Sequence, residues 1–170
     1  AYEFCACLVG SEMCIRDSRD CFCHAGYAVD VPGGAVSHQA GQWRYGRPYM
    51  FTDRIVRNVT GVSSALLMIR RDVFLSVGGF SPYQSDLRGA DLGLKCQQIG
   101  LLNVYTPYAR MAMDTRLSLM PPCLTQGAPK GDLRRFRQTW GAHPPERYYS
   151  PLFRPDGSMF IDLDRQEGTP

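Results

Sequence analysis

Residues 58–69, NVTGVSSALLMI, set how the rest of the chain is read. The stretch ends in a continuous apolar run, Ala65 to Ile69, instead of alternating, which predicts a buried strand covered on both faces. Arg70, Arg71 and Asp72 then open a short predicted helix carrying Val73, Phe74 and Val77. Gly78 and Gly79 end it, because glycine accepts the left-handed conformation at a helix terminus, and Phe80 is placed to fold back onto it.

Upstream, residues 21–31, CFCHAGYAVDV, predict a strand ended by the turn residues Pro32, Gly33 and Gly34. Residues 35–57 combine glycine and proline with Trp43, Tyr45, Tyr49 and Phe51, which reads as an aromatic-rich surface loop with a short helix over 51–56. Downstream, residues 91–99 predict a helix with Leu92, Cys96 and Ile99 on one face. Asp91 is expected in its first turn, where a negative charge suits the helix dipole, and Gly100 marks its end. Residues 101–105 read as a short strand closed by Thr106 and Pro107, and residues 108–113 as another. After a loop over 119–131, Asp132 is placed to cap a last helix bearing Leu133, Phe136 and Trp140. The alternation of strands and helices predicts an α/β fold, a mixed sheet with flanking helices.

The chain has 170 residues, 44% apolar and 21% charged, the composition of one globular domain or part of one. A net charge of +3 is too small and too dispersed to predict a nucleic-acid partner. No apolar run approaches the ~20 residues of a membrane span. The opening residues AYEFCACLVG lack a basic start, so no secretory leader is expected.

Five of the seven cysteines fall in the first 23 residues, as two Cys-x-Cys pairs and Cys14, with His24 following Cys23. Paired Cys-x-x-Cys knuckles are absent, and an odd count disfavours a disulfide framework. A zinc module over 5–24 is one reading. The other starts from residues 11–18, SEMCIRDS, which resemble translated sequencing-adapter read-through. On that reading residues 1–20 are an artefactual or disordered leader, 21–142 the folded unit and 143–170 an extended tail wrapping it.

Six segments in order resemble the C-terminal half of a family 2 glycosyltransferase of the GT-A type. His24-Ala25-Gly26 is similar to the family's "QHAG", and residues 57–71 to "NVTAVTGACLMVRR". Residues 73–80 resemble "VFEEVGGFDE", 91–100 "DVDLCLRLREAG" and 104–109 "VVYTPYAEL". Phe136, Trp140-Gly141 and residues 148–151 resemble the closing "F..RWG…DPYYNP". The match runs from residue 21 to about 155.

The resemblance implies a partial Rossmann-like GT-A domain and transfer of a sugar from a nucleotide-sugar donor to a hydroxyl of a glycan acceptor, in surface-polysaccharide or glycan synthesis. It implies a cytoplasmic enzyme, at or near the inner face of the membrane. In the family an upstream Asp-x-Asp helps hold Mg²⁺ or Mn²⁺ on the diphosphate, and hard oxygen ligands suit such ions. The half present here would supply the acceptor side and the general base.

Three departures follow. The nucleotide-binding half is not in this sequence; Asp162-Leu163-Asp164 matches Asp-x-Asp but lies in the tail. The family's base position falls on Gly89, which leaves Asp91 as displaced base, substrate contact or simple helix charge, and Asp86 as the other catalytic candidate. The family's His falls on Met113, a poor ligand for hard ions, with Asp114 beside it as the metal-ligand candidate. His24, Trp43, Thr60, Gly61 and Arg70 are the substrate-binding candidates, Trp43 as a stacking face and Arg70 as a phosphate contact. Gly89 and Met113 also motivate the alternative of a non-catalytic carbohydrate-binding or assembly module.

Overall fold

The computed structural model describes residues 6–15, 21–29, 31, 34–38, 49–52, 54–112, 128–142 and 144–162. The chain is mixed α/β. Strands β1 (Ala6–Ile15), β2 (Cys21–His24), β5 (Arg57–Val59), β6 (Leu67–Met68) and β7 (Leu102–Ala112) form one sheet, and β3 (Tyr27–Ala28) pairs with β4 (Val36–Ser37). The helices are α1 (Arg71–Ser76), α2 (Leu87–Gln98) and α3 (Lys130–Trp140).

The large sheet runs β2-β1-β7-β5, with β6 also on β1. β1 is parallel to β7 and antiparallel to β2 and β6. Residues 6–15, inside the span 1–20 expected to be an artefactual or disordered leader, form β1, whose backbone groups pair with three other strands.

The run 58–69 is not one strand. Only its two ends pair, as β5 and β6, and residues 60–66 leave the sheet. Gly61 instead bridges to Tyr27, and the Thr60 carbonyl accepts from Asn103 Nδ2 at 2.8 Å and Gln97 Nε2 at 3.1 Å. Conversely, the two strands expected over 101–113 are one. Pro107 has no N–H to give, and it falls in a register break where the partner of Ser11 is Thr106 and that of Glu12 is Arg110. Along its first half β7 buries Asn103, Tyr105 and Pro107 and turns Leu102 and Tyr108 outward.

α1 ends as expected: Gly78 and Gly79 have φ of 76° and 64°, and Gly79 N–H reaches back to the Phe74 carbonyl at 2.8 Å. Phe80 packs edge-on against Phe74, with ring centres 5.3 Å apart. α2 starts at Leu87, four residues before the expected Asp91. Asp91 therefore lies beyond the first turn, and Ile99, expected on the apolar face, is an exposed residue at the helix end. α2 is buried almost all round, packed between residues 60–64 and α3.

One core joins Ala25, Val59, Val62, Val73, Leu92, Cys96 and Tyr105, drawn from β2–β3, β5 and its following loop, α1, α2 and β7. A second gathers Tyr27, Val29, Tyr83, Leu87, Ala90, Leu94 and Phe136 around the α2–α3 contact. Among the described residues, no helix is long and apolar enough to cross a membrane.

Candidate functional site

Two helical glycines let the 60–64 loop lie directly on α2. A Cβ on Gly89 would stand 2.2 Å from the Val62 carbonyl oxygen, and one on Gly93 would stand 2.3 Å from that of Thr60. This approach delivers Ser63 and Ser64 to Asp86, the residue that precedes α2. The carboxylate accepts the Ser63 hydroxyl at 2.6 Å, the Ser64 N–H at 2.9 Å, and the hydroxyls of Ser64 and Tyr27. A carboxylate offers about four lone-pair sites, so these four donors use its accepting capacity. Asp86 makes no side-chain cap to its own helix; it is turned back onto the loop.

His24 lies beneath this cluster and is buried. Its Nε2 accepts the Ser63 N–H at 2.8 Å, which assigns the ring proton to Nδ1, donated to Ser37 Oγ at 2.8 Å. Burial lowers its pKa to about 4; the nearby Asp86 charge opposes that shift and Arg57 adds to it. The ring is thus a neutral spacer at physiological pH, and it cannot take a proton from Ser37, to which it donates.

His38 is fully buried, stacked on Tyr149 at 5.0 Å between ring centres. Its Nδ1 accepts from both terminal nitrogens of Arg57 at 3.2 Å. Burial first, and then the Arg57 charge, hold its pKa well below the usual value. Arg57 also donates to the Thr52 carbonyl at 3.1 Å and to that of Ala25, and lies over the Tyr105 ring. Burial lowers the guanidinium to about 10, which leaves it charged at neutral pH.

Asp91 is wholly buried. Its Oδ2 accepts Ser81 Oγ at 2.7 Å and pairs with Lys95 Nζ at 2.9 Å, and its Oδ1 accepts Trp140 Nε1 at 2.9 Å. These partners tie α2 to the end of α3 and to the turn after α1.

The tail reaches the same region. Glu146 accepts the Val29 N–H at 2.8 Å and the Thr60 hydroxyl, together with the N–H groups of Tyr148 and Tyr149 at 2.8 and 3.1 Å. Thr60, a substrate-binding candidate, therefore has its hydroxyl engaged by the tail.

Of the remaining candidates, Gly61 presses on the α2 backbone, 2.9 Å from Ala90 Cα were it to carry a Cβ. Arg70 is exposed and paired with Asp72, two residues on, away from the cluster. Trp43 and Asp114 lie outside the described residues, as do Cys5, Met113 and Asp164. The structure brings His24, Thr60, Gly61 and Asp86 together and sets Asp91 and Arg70 apart from them.

Among the described residues, no three His, Cys, Asp or Glu side chains are grouped to hold a metal ion. Asp86 has its lone pairs occupied and Asp91 faces a lysine, so neither supplies an open oxygen for Mg²⁺ or Mn²⁺. Cys96 is buried, and burial pushes its thiol up to about 11, which leaves it protonated and unreactive at neutral pH.

Sequence reasoning missed Tyr27, Ser63, Ser64, Arg57 and Glu146. Two adjacent serines interrupting an otherwise apolar stretch were a legible signal, since buried hydroxyls need partners. Glu146 gave none: its partners outside the tail lie 86 and 117 residues away.

No protein-family model matches the chain, and no solved structure matches it. Among curated proteins it is similar to the uncharacterized protein y4gI of Sinorhizobium fredii (strain NBRC 101917 / NGR234), 33% identical over 110 residues. That match covers 61% of this chain and 11% of the relative, so the chain spans only a small part of the protein it matches.

Proposed function

We propose that the chain is the acceptor-side part of a GT-A type family 2 glycosyltransferase, working with a nucleotide-binding part elsewhere in a longer polypeptide. The observation that carries this reading is the first core. Ala25, Val59 and Val62, Val73, Leu92 and Cys96, and Tyr105 come one or two each from five of the six resembling segments. Segments whose order alone suggested kinship thus pack as one unit. The sixth contributes Phe136 and Tyr149 to the neighbouring clusters.

In this reading Asp86 is the base. It is half-buried at the start of α2, with a serine hydroxyl on each oxygen. A sugar hydroxyl replaces Ser64 Oγ and gives its proton to the carboxylate as its oxygen bonds to the anomeric carbon. The bond from that carbon to the diphosphate oxygen breaks, and the diphosphate leaves with the electron pair. A divalent ion, where the complete enzyme holds one, would neutralise charge on that leaving group.

The test is donor turnover by the longer polypeptide. Incubation with UDP-, GDP- and dTDP-sugars and Mg²⁺ or Mn²⁺ should release nucleotide, and Asp86→Asn should lower the rate at least 100-fold. The 170-residue chain alone should release none. An upstream region without an Asp-x-Asp, together with no turnover, would sink the proposal.

A second reading rests on Gly89. The family's base position here has no space for any side chain, because the Val62 carbonyl occupies it. This favours a non-catalytic carbohydrate-binding or assembly module derived from the same fold. Saturable binding of an oligosaccharide by the chain, with no donor turnover by the longer polypeptide, would select it.

A further inference from the structure

Residues 63–66 lead from the packed part of the 60–64 loop to β6, and two titratable groups hold them. Ser63 gives its N–H to His24 Nε2 at 2.8 Å and its hydroxyl to Asp86 Oδ2 at 2.6 Å. Ser64 gives its N–H to Asp86 Oδ1 at 2.9 Å and its hydroxyl to the same oxygen. The Ala65 N–H turns back to Ser63 Oγ at 3.2 Å. Among the described residues, these bonds end on an imidazole, on a carboxylate or within the turn itself. The residues before the turn are fixed differently. The Gly61 carbonyl accepts the Tyr27 N–H at 2.9 Å, and Val62 sits in the first core. Ala65 is exposed and Ser64 half-buried, so the turn has room to swing outward.

Two N–H groups converge on His24 Nε2, Ser63 at 2.8 Å and Gly26 at 3.3 Å. The ring fits this place only as a neutral acceptor. A proton on Nε2 would set a charged N–H against two others in a buried site, while Nδ1–H is already given to Ser37. An anion lies one residue away, because Ser63 stands between the ring and Asp86 with its N–H on one and its hydroxyl on the other. We propose that residues 63–66 are an acid-released flap: proton uptake by His24 expels Ser63 from between the ring and Asp86, and the imidazolium closes on the carboxylate in its place. The step moves one proton from solvent to Nε2 and breaks no covalent bond, and each of its two states has defined partners.

The groups facing His24 set the balance. Asp86, ahead of α2, favours the charged ring, and Arg57, on β5, opposes it. Tyr27, on β3, lies 4.4 Å away between ring centres, and His38, just after β4, is held below its usual pKa by burial and by Arg57. Ser37, on β4, accepts Nδ1–H in both states. Burial keeps the ring neutral until the pH approaches about 4, so the flap is shut at neutral pH and released in acid. The flap involves neither donor nor acceptor sugar and stands apart from the transferase reading.

The experiment is an NMR titration of the 170-residue chain, labelled with 15N and 13C, from pH 7.5 to 3.5. The ring nitrogens of His24 report its charge, the Ser63 and Ser64 amides the flap, and the Leu92 and Leu94 amides the fold. The Ser63 and Ser64 amides should move to unstructured shifts with the same midpoint as His24, while Leu92 and Leu94 keep their native shifts. His24→Gln, whose side-chain carbonyl can accept the Ser63 N–H but takes no proton, should keep the flap shut throughout. Asp86→Asn removes the anion on which the ring closes, and should lower the His24 midpoint by at least about half a pH unit. Charging of His24 with an unmoved flap, loss of the flap only together with α2, or acid release that persists in His24→Gln would overturn the proposal. So would an unchanged His24 midpoint in Asp86→Asn.

Discussion

The backbone of Gly89 lies against the Val62 carbonyl so closely that a Cβ would stand 2.2 Å from its oxygen. Backbone opposes backbone here, so no side-chain rotation can relieve the overlap. Gly89→Ala should therefore destabilise the chain by roughly 2–4 kcal/mol, although alanine is the better helix former by about 1 kcal/mol. Gly131, in α3, has nothing within 4 Å of its Cβ position. Gly131→Ala should stabilise by about 0.5–1 kcal/mol. Urea midpoints of the two variants should move in opposite directions; a shared direction would refute the packing argument.

Asp91 and Lys95 are an ion pair with one member wholly enclosed. Asp91→Ala leaves the Lys95 ammonium with only the neutral acceptors Gly79 O and Ser81 Oγ and strands the Trp140 N–H, and should cost about 2–4 kcal/mol. Replacing both, as Asp91→Leu/Lys95→Met, should recover most of that loss. A double variant no more stable than Asp91→Ala in chemical denaturation would contradict this account.

Stability should fall in mild acid. His24 has a folded pKa of about 4, below the ordinary 6.5, because burial disfavours its charged form. The unfolded chain binds the proton first, so the contribution of this ring is complete above about pH 6.5 and is lost as pH falls towards 4. A shift of that size corresponds to about 3 kcal/mol, and His38 acts in the same direction. Urea midpoints at pH 7.5, 6, 5 and 4 should decline in order, and a flat profile would disprove the assignment.

Glu146 holds four donors from three parts of the chain. Glu146→Ala should leave the Val29 and Tyr149 amides without their acceptor and destabilise the chain by roughly 2–4 kcal/mol. Amide exchange at these two positions should accelerate ahead of exchange in α2. Unchanged exchange there would show that the tail is held by other means.

Elements closed by short-range chemistry were legible in the sequence. Two glycines end α1, Gly100 and Gly141 follow α2 and α3 with φ of 83° and 84°, and the apolar spacing of Leu133 and Phe136 marks the packed side of α3. The start of α2 was hidden because Leu87, Gly89 and Ala90 are buried on several faces and show no single stripe. The break in 58–69 was hidden because an apolar run signals burial, not hydrogen-bond pairing. Asp86 could be named as a candidate, but its partners come from the 60–64 loop and from Tyr27 in β3, 22 and 59 residues away, and sequence separation carries no sign of such meetings.

Among the described residues, Arg57 meets two carbonyl oxygens, an imidazole lone pair and the face of Tyr105, and none of these partners bears a formal charge. Attraction between an ion and fixed dipoles inside a protein is scarcely weakened by dissolved electrolyte, whereas an exposed couple such as Arg70 with Asp72 is. The junction of β5 with β7 should accordingly stay assembled in concentrated brine that loosens the periphery.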